Sequence, residues 1–70
     1  MTASQLQQLV ESYRDGGELA INGMRVRVRV TDARETYSRI DLRVVPEAGA
    51  GFAWVERRRV VALAPSLFGD

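Results

Sequence analysis

Met24-Arg25-Val26-Arg27-Val28-Arg29-Val30 alternates apolar and cationic side chains without a break. Met24, Val26, Val28 and Val30 fall on one side of an extended chain, and Arg25, Arg27 and Arg29 on the other. A period of two is that of a β-strand with one face in a core and one in water. Valine suits such a surface because its branched Cβ is already stiff in the extended form. A helix through the same residues would scatter the arginines around its circumference. The stretch therefore predicts a central strand, from which the rest of the chain is read outward.

Upstream, Asn22-Gly23 is the dipeptide that two-residue hairpin turns favour, so Glu18–Ile21 is expected to fold back beside the strand. Before it, Leu6, Leu9, Val10 and Tyr13 recur at i, i+3, i+4 and i+7, which predicts an amphipathic helix over residues 2–15. Thr2 or Ser4 can cap it, each with a glutamine three residues later, and Gly16-Gly17 ends it. So short a helix is not stable alone, and its apolar stripe is expected to lie on the sheet.

Downstream, the polar run Thr31–Thr36 reads as a loop. Tyr37–Val45 reads as a second long strand, with Ser38, Ile40, Leu42 and Val44 on one face, and Tyr37, Arg39, Asp41, Arg43 and Val45 on the other. Pro46 stops its ladder. Glu47–Gly51 reads as a turn, Phe52–Val55 as a third strand, Glu56–Arg59 as a tight turn or one helical turn, and Val60–Leu63 as a last strand. Pro65–Asp70 reads as a tail that Leu67 and Phe68 could pin down.

The expected fold class is α+β: one domain over residues 1–70, with the helix at 2–15 and an antiparallel meander of three to five strands at 18–64. Such strands either stay open under a covering helix or curl into a small barrel. An aromatic strand (Phe52, Trp54, Val55), a polar turn and a closing Val60–Leu63 strand resemble the final part of SH3-like small barrels.

Composition narrows the function classes. With 46% hydrophobic and 27% charged residues the chain has globular, not disordered, composition. Seventy residues bury only about 60% of the surface that the unfolded chain exposes, so the stability margin is thin. There is no cysteine and no histidine, hence no disulfide and no ordinary zinc site; no metal or cofactor is expected. Good packing or self-association must supply the margin instead. No apolar run suits a membrane span, Met1–Gln5 has no signal-peptide pattern, and a cytoplasmic location is expected. All ten basic residues are arginine, as codon usage in a GC-rich genome would give, and the net charge is only +1.

If the two long strands pair core against core, Val30 meets Ser38, Val28 meets Ile40, Val26 meets Leu42 and Met24 meets Val44. Arg29 then opposes Arg39, Arg27 opposes Asp41 and Arg25 opposes Arg43. The expected binding face is therefore Arg25, Arg27, Arg29, Arg39 and Arg43 with Tyr37, joined by Trp54 if its strand turns that way. Trp54 is core if it faces Leu42 and exposed if it faces Arg43; the only tryptophan of a small domain is expected in the core. Such a face is a solvated surface, a contact for an acidic protein surface or a second copy, or a track for nucleic-acid phosphates with rings for stacking. Arg57-Arg58-Arg59 forms a secondary anion-binding spot or a solvated turn.

Enzymatic readings fare poorly. The chain lacks histidine for acid–base work and a thiol nucleophile. Gly49-Ala50-Gly51 sits in a strand-to-strand turn, the wrong context for a phosphate loop. The carboxylate pairs Asp32 with Glu35 and Asp41 with Glu56 lie among arginines that would hold them ionised. The expectation is a non-enzymatic module that binds a protein partner, with nucleic acid as the alternative and no small-molecule substrate.

Overall fold

A computed structural model describes residues 1–63. The tail expected at 65–70, with Leu67 and Phe68, lies outside the described residues. Among those described are one helix, α1 (Ala3–Glu11), and five strands: β1 (Gly17–Ile21), β2 (Met24–Thr36), β3 (Arg39–Pro46), β4 (Ala53–Glu56) and β5 (Val60–Ala62). A single 3-10 turn, Arg57–Arg59, joins β4 to β5. All pairings are antiparallel, in the spatial order β4-β3-β2-β1-β5. The α+β class holds.

Thr2 caps α1 through a capping box: its hydroxyl accepts from the Gln5 amide at 3.1 Å, and the Gln5 side chain accepts from the Thr2 amide at 2.8 Å. The helix stops at Glu11, four residues short of the expected end. Tyr13 and Arg14 donate three residues back, to Val10 and Glu11, which tightens the chain out of the α-helix. The tightening turns Tyr13 inward, where its hydroxyl donates to the Val60 carbonyl at 3.0 Å. Gly16, at φ +96°, makes the exit, and Gly17 already belongs to β1. A Cβ on Gly17 would lie 2.8 Å from Val60 Cγ1, so glycine there lets β1 and β5 approach.

The Asn22-Gly23 hairpin forms as expected, both residues at positive φ and Ile21 paired with Met24. Between Val30 and Arg39 the expectations fail, whereas the strand end at Pro46, the later strands and the helical turn between them form as expected. Thr31–Thr36 is strand, not loop, so β2 runs for 13 residues. The turn is Tyr37-Ser38, and the next strand starts at Arg39. Val30 therefore pairs with Val44, Arg29 with Val45, Ala33 with Leu42 and Arg34 with Asp41, not with the partners expected from the earlier turn. A bulge at Thr31 interrupts the ladder between Val30 and Asp32 and adds local bend and twist.

That bend is required by the topology. Edge strands β4 and β5 are joined by three residues, although five flat strands at about 4.8 Å spacing would hold them about 19 Å apart. Four Cα steps reach at most about 15 Å, so the sheet must curl. It does not close, since β4 and β5 pair only with β3 and β1. The inner face carries the core: Leu19, Val28, Ala33, Leu42, Val44 and Val60, with Tyr13 from beyond the helix. Leu6, Leu9 and Val10 of α1 pack against it. The hairpin end is less covered, and Ile21 and Met24 are exposed there.

Candidate functional site: the outer sheet face

The register arranges the outer face in transverse rows. Arg29 lies beside Val45, and Phe52, one residue ahead of β4, extends that row. The next row is Asp32, Arg43, Trp54; the one after is Arg34, Asp41, Glu56. Trp54 thus faces Arg43 and shares the arginine side, so the core placement expected from its rarity is wrong. Its indole is half-buried because the Arg34 guanidinium lies over it, Cζ 4.1 Å from the ring centroid. Arg43 covers Phe52 in the same way, also at 4.1 Å. Aliphatic arginine stems and the quadrupole of a ring make such a stack favourable even at a surface.

At one end of this face charges are paired. Asp41 is only 3% exposed, although it points away from the core. It is roofed by arginines: Arg39 Nε lies 3.0 Å from Oδ1 and Arg34 Nε 3.6 Å from Oδ2. Glu56 takes Arg58 Nε at 2.9 Å and Arg39 Nη1 at 3.9 Å. A buried carboxylate is tolerated only with such partners.

The other end differs. Arg25 is paired with Glu18 at 3.2 Å, but Arg27, Arg29 and Arg43 have no carboxylate oxygen within 4.0 Å among the described residues. Arg43 Nη1 donates to Thr31 Oγ1 at 3.3 Å, so the bulge residue helps to hold it over Phe52. The Phe52 side chain remains 57% exposed beside Val45 and Arg29.

The expected site residues are thus partly gathered. Arg25, Arg27, Arg29, Arg39, Arg43 and Trp54 share the outer face, although Arg29 does not oppose Arg39, nor Arg25 oppose Arg43. Tyr37 is not on it: at φ +56° and 96% exposed, it forms the tip of the β2–β3 turn. Arg34 and Phe52 also belong to the face: Arg34 lies in a stretch whose polarity predicts a loop, and Phe52, like Trp54 expected in the core, is 57% exposed. The run Arg57–Arg59 is not one compact spot. Three residues per turn fan its side chains around the 3-10 axis. Arg58 turns to Glu56, whereas Arg59 donates to the Ala20 carbonyl at 3.4 Å. No described helix is long and apolar enough to cross a membrane. Compared with protein-family models, with curated proteins and with solved structures, the chain matches none.

Proposed function

We propose that this domain is a non-catalytic binding module whose outer sheet face grips an acidic, partly apolar surface of a protein partner. The observation that carries the reading is the Arg29–Val45–Phe52 row, an exposed aromatic ring under Arg43 beside guanidinium groups that have no carboxylate partner among the described residues. Aromatic and arginine side chains together are the composition of energetic centres in protein interfaces. A partner carboxylate would find forks on Arg29 and Arg43, and a partner side chain an apolar seat on Phe52 and Val45. A second copy docking face to face would set like charges against each other, which favours a different protein. The strand order, and the short 3-10 turn that sends the last strand back to the first, support reading the curled sheet as an SH3-like small barrel left open between β4 and β5. The absence of cysteine supports a reducing compartment such as the cytoplasm.

Nucleic acid is the weaker reading. A phosphate track needs a run of free cations, and Arg25, Arg34, Arg39 and Arg58 of this side are already paired with carboxylates.

Trp54 reports on the face directly. In fluorescence titrations at about 50 and 200 mM salt, a glutamate–leucine peptide is expected to bind saturably, and Arg29→Ser and Phe52→Ser to weaken it. An oligothymidylate that binds more tightly than the peptide, with the steep salt dependence of phosphate contacts, would replace this reading by the nucleic-acid one.

A further inference from the structure

A second site lies where the β2–β3 turn approaches the 3-10 turn. Ser38, Arg39, Ile40, Glu56, Arg57 and Arg58 line an open hollow of about 250 Å³. Its one carboxylate, Glu56, already takes Arg58 and Arg39, while Asp41, which does not line the hollow, takes Arg34 and Arg39. Of the lining side chains, Arg39, Arg57 and Arg58 bring three guanidinium groups against the single carboxylate of Glu56, so two positive charges are unbalanced at the hollow.

The available donors are specific. Arg57 is exposed and has no carboxylate within 4.0 Å among the described residues, so its whole fork is available. Arg58 engages Glu56 through Nε, and among the described residues its two Nη groups form no hydrogen bond or ion pair. Arg39 is held against Asp41 through Nε and Nη2, which fixes the guanidinium plane. Guanidinium forks match oxyanions bidentately, and pre-held forks lose less freedom on binding. Ile40 gives the lining one apolar residue.

We infer that this hollow binds a phosphate monoester, the dianionic terminal phosphate of a small molecule or of a phosphorylated side chain. Two unbalanced charges match a group that carries about −1.5 to −2 at neutral pH. A diester carries a single charge and would leave half of that excess unbalanced. The inference does not rest on the partner-binding reading, since Arg29 and Phe52 take no part.

The test is an NMR titration of the full chain with phenyl phosphate and with dimethyl phosphate. Saturable shifts at Ser38, Arg57 and Arg58 are expected with the monoester, and at least tenfold weaker binding with the diester. Arg57→Ser is expected to weaken the monoester at least tenfold, and Arg27→Ser to leave it unchanged. Glu56→Gln is expected to tighten it severalfold by freeing Arg58 and Arg39. Equal binding of the diester, shifts that never saturate, or an Arg57→Ser variant that binds as well as the parent would overturn the inference. The Arg57 side chain supports no other described residue by an ion pair, so its variant should fold, which circular dichroism checks. A serine phosphopeptide and adenosine monophosphate then separate the sources, and tighter binding of either than of inorganic phosphate supports the site.

Discussion

The two ends of the outer face use the same residue type for opposite purposes. Around Asp41, arginines are structural: Arg34 and Arg39 roof a carboxylate that could not otherwise be buried, and Arg34 also shelters Trp54. Around Phe52, arginines are available: Arg27, Arg29 and Arg43 have no carboxylate within 4.0 Å among the described residues. Strand alternation puts arginine on the outside at both ends. The cross-strand neighbour decides the role, and the neighbour is set by register.

The contrast can be broken at the paired end with the largest effect. Asp41→Ala is expected to lower stability by about 2–3 kcal/mol in urea unfolding. Removing one partner of a buried pair costs about 3–5 kcal/mol, and here half-exposed arginines recover part of that in water. Arg34→Gln is smaller, about 1 kcal/mol, because it removes one ion pair and one stack, and Trp54 emission should move to the red. Arg43→Gln should cost about 0.5 kcal/mol, the worth of an exposed cation–π contact. Arg29→Ser should change stability by less than about 0.5 kcal/mol while weakening the glutamate–leucine peptide. A loss for Arg29→Ser as large as that for Asp41→Ala would erase the distinction between the ends.

The sequence made some of this legible and hid the rest for identifiable reasons. Seven alternating residues announced β2, Asn22-Gly23 announced its hairpin, and the Thr2–Gln5 spacing announced the cap. Asp32, Arg34 and Glu35 disguised the second half of β2, because Ala33 is its one apolar inward residue and alanine is a weak strand signal. The bulge at Thr31 further broke the count of two. Tyr37-Ser38 lacks the glycine or asparagine that positive φ usually selects, so the true turn carried no flag and every cross-strand pair drawn from the wrong turn was displaced. The side of Trp54 is hidden for a separate reason. Its side depends on whether it meets Leu42 or Arg43, and the Glu47–Gly51 turn does not fix that parity.

The pairing of Leu19 with Val60, and the bond from the Tyr13 hydroxyl to the Val60 carbonyl, tie the first strand of the sheet to its last. β1 therefore lacks one neighbour, and Tyr13 its acceptor, until β5 has left the ribosome. A nascent chain halted before residue 60 holds the β1–β2 hairpin with one flank bare, and its native core cannot yet form. Closing so long a loop makes folding slow for a chain of this length and all-or-none in character.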